Sequence, residues 1–343
     1  MEAEKFLRVH HVPSSTGMSD DPEFNDHPNV AEAFPPLIDR AVVLTGPTAA
    51  GKSSIGVAVA ERIGGEIISL DSIAVYRGMD IGTAKPSETE RARVPHHLID
   101  LVDPSCDFSV ACYLRAAHEI VDDIRKRGRC AIFVGGTPMF LKGILRGFDP
   151  GPPADWQFRD AVETDIRRHG IEALRQRLRQ VDPLAEHRIG ANDARRMIRA
   201  LEVARSTGTP ISHRQIQFSQ TRDSQDCHVF SLAWPREQLH ARINRRVDDM
   251  FRAGLIDEVR GLVATWGNIS RTASQAVGYR EVLEWLQQQS ALETLVEQVA
   301  AHTRQLARRQ ETWFRSFSEI RPIAVDEPLD ANAIADQIVS WIG

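Results

Sequence analysis

The chain has 343 residues, 42% hydrophobic and 26% charged, which is ample for a packed core in one large or two ordinary domains. Its net charge of −5 is carried by the first 40 residues, where eight acids face Lys5, Arg8 and Arg40; the remaining 39 acids and 39 bases cancel, so net charge does not exclude a nucleic-acid partner. Cys106, Cys112, Cys130 and Cys227 lack the paired spacing of a zinc site or a small disulfide framework, and no apolar run approaches the roughly 20 residues that cross a bilayer. Reduced thiols, no membrane partner and a cytoplasmic location are expected, since the N-terminus also lacks the basic-then-apolar order of a signal peptide.

Residues 1–38, with the run Pro13-Ser14-Ser15-Thr16-Gly17 and acids from Asp20 to Asp26, read as a poorly ordered acidic extension. The apolar run Ala41-Val42-Val43-Leu44 then enters Gly46-Pro47-Thr48-Ala49-Ala50-Gly51-Lys52-Ser53, a glycine, four residues and Gly-Lys-Ser, followed by a helical pattern to Ile63. A buried strand turning through glycines into a helix aims successive backbone N–H groups and a positive helix end at one spot, which suits a di- or triphosphate. Lys52, one of five lysines, would neutralise the distal phosphates, and the Ser53 hydroxyl would hold a bridging Mg²⁺. The pattern does not say which phosphate compound binds.

Further apolar strands are expected at Glu66–Leu70, ending at Asp71, at Ala131–Val134, ending at Gly135-Gly136-Thr137, and at Val229–Ala233. With helices between them, as at Val110–Arg127, the alternation predicts an α/β fold: a parallel sheet flanked by helices, with ligands outside the carboxyl ends of the strands. Residues 39–146 and 226–343 would form a P-loop core with C-terminal helices. Residues 147–225, charged, broken by prolines and without a strand signal, would form an inserted all-helical subdomain.

Asp71 at a strand end could be a metal ligand, a general base or a helix cap, and the following residues 72–86, rich in Gly, Thr and Lys, read as a loop shaped around a ligand. Thr137 either brings a hydroxyl to the same crevice or caps the next helix. His96 and His97 have no acid or cysteine at ligand spacing and are expected to be structural. Arg304, Arg308 and Arg315 fall on one helical stripe, and Arg195 and Arg199 repeat the i, i+4 relation; such stripes bind nucleic-acid phosphates or are simply solvated.

Taken together, residues 46–53, 71–86 (DSIAVYRGMDIGTAKP), 94–100 (VPHHLID), 134–137 (VGGT), 192–203 (NDARRMIRALEV), 239–259 (LHARINRRVDDMFRAGLIDEV), 277–281 (VGYRE) and 303–314 (TRQLARRQETWF) resemble the tRNA dimethylallyltransferase family, also called tRNA isopentenyltransferases. The resemblance runs from about residue 40 to 321. It implies a P-loop NTPase-like core and transfer of a dimethylallyl group from dimethylallyl diphosphate to N6 of the adenosine 3′ of the anticodon, in tRNAs that read codons beginning with U.

By the same resemblance Asp71 is the base at N6, Thr137 bonds the bridging oxygen of the diphosphate, Arg246 binds the diphosphate with Lys52, and Ser53 contacts Mg²⁺. The tRNA anticodon stem-loop would be touched by Ser72, Ile73 and Ala74, by Arg195, Arg196, Met197, Ile198 and Arg199, by Gln275, Ala276, Val277, Gly278, Tyr279 and Arg280, and by Arg308, Arg309, Gln310 and Arg315. A monomer is expected. Pro138 and Phe140 depart from the glycine and tyrosine more usual after Thr137, and Ile73-Ala74 occupies a variable pair. The alternatives are an adenylate isopentenyltransferase acting on free AMP, ADP or ATP, and a P-loop kinase or NTPase.

Overall fold

The computed structural model describes residues 33–215, 218, 220–288 and 291–342. Six parallel strands, β1 (Ala41–Thr45), β2 (Gly65–Leu70), β3 (His96–His97), β4 (Cys130–Gly135), β5 (Val229–Ala233) and β6 (Arg321–Ala324), form one sheet in the order β3-β2-β4-β1-β5-β6. Helices α1 (Lys52–Ile63), α2 (Glu88–Arg93), α3 (Val110–Lys126) and α4 (Pro138–Arg146) accompany the first four strands. The central strands are apolar along their length because both faces are covered: all five residues of β1 are buried.

Val43 pairs with Phe133 of β4 on one side and with Val229 of β5 on the other. This register, with Leu70 of β2 opposite Gly135 of β4, brings the carboxyl ends of β1, β2 and β4 side by side. Gly135 is required there, since a Cβ would lie 2.3 Å from the Leu70 carbonyl oxygen.

Helices α5 (Trp156–His169), α6 (Ile171–Val181), α7 (Pro183–Arg188), α8 (Ala194–Thr207) and α9 (Ile211–Arg214) follow α4. They bury a cluster of their own, including Phe158, Val162, Leu174, Leu178, Met197 and Leu201, separate from the core around the sheet. Asp155 and Asp193 cap α5 and α8 by accepting from the Phe158 and Arg196 amides, which explains helix starts at those polar residues. Beyond β5 come α10 (Arg236–Arg252), α11 (Leu255–Trp266), α12 (Arg271–Ser274), α13 (Tyr279–Gln288), α14 (Leu292–Phe314), β6 and α15 (Ala331–Ile342).

Of the expected acidic extension, residues 1–32 lie outside the described residues, and residues 33–38 belong to the packed body. Phe34 and Phe148 exchange backbone hydrogen bonds of 2.8 and 2.9 Å, and Leu37 and Ile38 are buried. The boundary at 38 is therefore too late, because two adjacent aliphatic side chains before β1 supply core surface. Strands β3 and β6 are additions to the expected set.

Candidate active site

The phosphate loop is held in shape from outside itself. Gly46 (φ 142°), Ala49 (φ 63°) and Gly51 (φ 85°) adopt positive φ, so the loop needs support to keep Ala49 in a conformation that an L side chain disfavours. Trp234 Nε1 donates to the Ala50 carbonyl at 3.1 Å, Arg242 Nε donates to the Ala49 carbonyl at 2.8 Å, and the Arg242 guanidinium lies 4.4 Å from the Trp234 ring centre. Gln310 of α14 completes the brace: its Oε1 accepts from Thr48 N at 2.9 Å and its Nε2 donates to Gly136 O at 2.8 Å.

Lys52 folds back so that Nζ donates to the Gly46 and Pro47 carbonyls at 2.9 and 2.7 Å. Burial, with the Arg246 charge beside it and only Asp71 opposing, lowers its pKa to about 7. Arg246 stands one helical turn after Arg242 on α10, and its guanidinium donates to the Thr83 carbonyl at 3.1 Å. Burial lowers its pKa and the Asp71 charge raises it. Lys52, Arg246 and Asp71 thus share one electrostatic neighbourhood at the ends of β1 and β2.

Asp71 Oδ1 accepts from the Ile73 and Ala74 amides at 2.8 and 3.3 Å, while Oδ2 has no hydrogen-bond partner among the described residues. No helix starts at Asp71, the next being α2, so the helix-cap reading falls and a carboxylate with one oxygen fixed and one available remains. Thr137 occupies the N-cap position of α4, yet its side chain makes no capping bond. Its Oγ1 accepts from Ser72 N at 3.0 Å and lies 3.4 Å from Ser72 Oγ, which ties the β4 end to the residue after Asp71.

The Ser53 hydroxyl is exposed and has no partner among the described residues. Among those residues no group of three or more His, Cys, Asp and Glu is placed to hold a metal. The Ser53 hydroxyl is a hard oxygen donor of the kind that suits Mg²⁺, which keeps several waters and takes its remaining ligands from substrate phosphates. His97 bonds Glu66 at 2.8 Å and His96 bonds the Val94 carbonyl at 2.7 Å, the structural role expected of them.

The residues expected to face tRNA divide by exposure. Arg195, Arg196, Gln275, Arg308, Arg309 and Arg315 are exposed, and Arg308, Arg309, Gln305, Thr312 and Trp313 line an open concavity on α14. Met197 and Ile198 lie in the core of the helical cluster, Ala276, Gly278 and Tyr279 are buried, and Gln310 points into the phosphate loop; these six position the surface rather than form it. Arg199 is turned inward, paired with buried Glu202 at 2.5 Å and donating to the Pro150 and Pro152 carbonyls. Arg280 is paired with Glu281. Ser72, Ile73 and Val277 are half-buried, and Ala74 is buried. Trp234, Arg242 and the inward role of Gln310 went unnoticed in the sequence; the i, i+4 spacing of Arg242 and Arg246 was the available signal.

A parallel sheet with a glycine-rich loop after its central strand, and with a carboxylate and a hydroxyl on the neighbouring strand ends, defines the class as a P-loop NTPase-like fold. The family model for IPP transferase matches residues 74–317, and that for isopentenyl transferase matches residues 40–99. The tRNA dimethylallyltransferase of Rhodopirellula baltica is 57% identical over 325 residues, covering 92% of this chain and 97% of its own, and that of Geobacter sulfurreducens is 41% identical over 304 residues, covering 89% and 97%. The solved tRNA isopentenylpyrophosphate transferase of Bacillus halodurans superposes with a TM-score of 0.63 at 37% identity, covering 88% of this chain and 96% of its own. A eukaryotic dimethylallyltransferase acting on tRNA gives 0.72 at 26% identity, covering 87% and 77%. The chain belongs to the IPP transferase family.

Proposed function

We propose that this protein transfers a dimethylallyl group from dimethylallyl diphosphate to N6 of the adenosine 3′ of the anticodon, in tRNAs that read codons beginning with U, releasing diphosphate. The observation that carries the site assignment is the meeting of Asp71, Thr137, Lys52 and Arg246 at the ends of three adjacent strands. Relatives at 57% and 41% identity bear the name of that transferase, which supports tRNA as acceptor.

An adenine amine is a weak nucleophile because its lone pair is delocalised into the ring. It attacks the allylic carbon well only if a base takes its proton as the N–C bond forms, and Asp71 Oδ2 is free to do so. As the C–O bond breaks, negative charge grows on the diphosphate, where Lys52, Arg246 and the loop amides stabilise it and Thr137 Oγ1 bonds the bridging oxygen. The Ser53 hydroxyl would hold Mg²⁺, which would supply further positive charge to the leaving diphosphate. The adenosine must leave its stack, which is cheap in a single-stranded anticodon loop. The helical subdomain 147–225 and exposed Arg308 and Arg309 give room and charge for a substrate much larger than AMP.

Incubation with labelled dimethylallyl diphosphate and either unmodified tRNA or AMP tests this reading. Label is expected in tRNA; label in AMP alone would sink it. ATP turnover above background would instead favour a kinase or NTPase.

A further inference from the structure

The turn 79–83 is organised by a carboxylate far away in sequence. Glu258, in the first turn of α11, receives three successive backbone amides: Asp80 N and Ile81 N reach Oε2 at 3.0 and 2.7 Å, and Gly82 N reaches Oε1 at 3.3 Å. The Tyr279 hydroxyl donates to Oε1 at 2.6 Å. Consecutive amides converging on one point form an anion nest, and here a side chain of the same protein fills it. Burial and the Glu258 charge raise the Tyr279 pKa far above its ordinary value, so the phenol stays protonated and donating.

The packing leaves little play. A Cβ on Gly82 would lie 2.4 Å from the Tyr279 ring, so only glycine lets the turn lie flat on it. The turn is also pinned by Lys85, whose side chain is buried and whose Nζ donates to Tyr76 O, Asp80 Oδ1 and Asp100 Oδ1 at 2.6, 2.7 and 2.5 Å. Thr83 Oγ1 donates to Met79 O at 2.6 Å, closing the turn on itself. What emerges is the Thr83 carbonyl, which accepts from Arg246. That bond is the one hydrogen bond of the Arg246 guanidinium among the described residues.

We infer that Glu258 is a positioning residue for the transfer reaction, holding the 80–82 turn so that the Thr83 carbonyl orients the Arg246 guanidinium toward Lys52 and the diphosphate. The inference rests on the function proposed above. Glu258 does not touch the reacting atoms; it replaces a loop that could wander with one that presents its carbonyl at a fixed place. A misplacement of a charge-stabilising group by about 1 Å can slow a reaction about 10²-fold.

Glu258→Gln keeps the shape of the side chain but turns an acceptor-only group into one that confronts the turn amides with N–H donors. In otherwise unaltered protein it is expected to lower the single-turnover transfer rate about 10²-fold and to weaken inorganic pyrophosphate binding, with tRNA affinity unchanged. In an Arg246→Ala background the same substitution should change both quantities by no more than about twofold, because the group it positions is gone. Equal losses in the two backgrounds, or no loss in either, would overturn the inference and leave Glu258 as a packing residue. Tyr279→Phe, which removes one of the four donors, serves as the second variant if Glu258→Gln does not fold, and should show the same dependence on Arg246 with a smaller loss. Pyrophosphate affinity reads the position of Arg246 whether or not tRNA is the acceptor. Failure of the unaltered protein to prenylate tRNA therefore counts against the proposed function alone.

Discussion

Gln310 and Thr48 are 262 positions apart, yet the Gln310 carbonyl oxygen accepts the Thr48 amide at 2.9 Å, while its amide nitrogen donates to Gly136 O at 2.8 Å. One side chain therefore spans from the phosphate loop after β1 to the loop after β4, beside Thr137. It does so from the helix that carries Arg308 and Arg309 on its exposed face.

Gln310→Ala should leave the Thr48 N–H and the Gly136 carbonyl without partners, a loss of about 1–3 kcal/mol for each group that water does not reach. Because one of those groups belongs to the loop, the KM for dimethylallyl diphosphate should rise about tenfold, equivalent to about 1.4 kcal/mol, with tRNA affinity unchanged. Steady-state kinetics and a tRNA binding titration separate the two. A lowered melting temperature with an unchanged KM would make Gln310 a stability residue only.

Four of the six strands were legible because strands buried on both faces must be nearly all apolar, as Val42-Val43-Leu44 and Ala131-Ile132-Phe133-Val134 are. The two edge strands were not. β3 is only His96-His97, and β6 is Arg321-Pro322-Ile323-Ala324, where a proline at an edge defeats any strand pattern. The site was legible wherever local order dictates geometry, as in the phosphate loop and in Asp71 and Thr137 at strand ends. It was illegible where a distant helix supplies the part. Gln310 follows Arg308 by two residues, about 200° around the helix, and so faces inward although it sits in an arginine-rich exposed segment. The pairing of partly exposed Arg199 with buried Glu202, three residues on, was hidden in the same way, since the i, i+4 spacing of Arg195 and Arg199 says nothing of it.

Asp71→Asn tests the proton acceptor. The amide retains an oxygen for the Ile73 and Ala74 amides, so the turn and tRNA binding should survive. Its other group can no longer accept the N6 proton, and transfer should fall by a factor of about 10²–10⁴. Quench-flow transfer assays beside filter binding measure both, and near-normal turnover would refute the base assignment.

Arg308→Ala tests the outer face of α14. Arg308 is exposed and makes no side-chain bond among the described residues, so its removal should leave folding unaffected. If it contacts a phosphate, affinity should drop similarly for every substrate tRNA, and the slope of log K against log salt should flatten by about 0.7–0.9. An unchanged slope would place Arg308 on a solvated face.

Lys52 should couple pH to both stability and ligand binding. Its pKa in the folded protein is lowered to about 7 from 10.5, chiefly by burial and then by the Arg246 charge. Below about pH 7 the lysine is protonated in both folded and unfolded chains, and its contribution to stability is flat and at its least favourable. Between about 7 and 10.5 the unfolded chain holds the proton and the folded one does not, so stability rises with pH across that window. Urea unfolding from pH 7 to 10 should show a steeper rise for the unaltered protein than for Lys52→Met. A bound diphosphate reverses the balance, since its charge favours the ammonium and draws Nζ off the Gly46 and Pro47 carbonyls. At pH 8 pyrophosphate binding should therefore take up more protons in the unaltered protein than in Lys52→Met, by up to about one, read from calorimetry in buffers of different ionisation enthalpy. Equal uptake by the two proteins would mean that Lys52 already carries its charge before the ligand arrives.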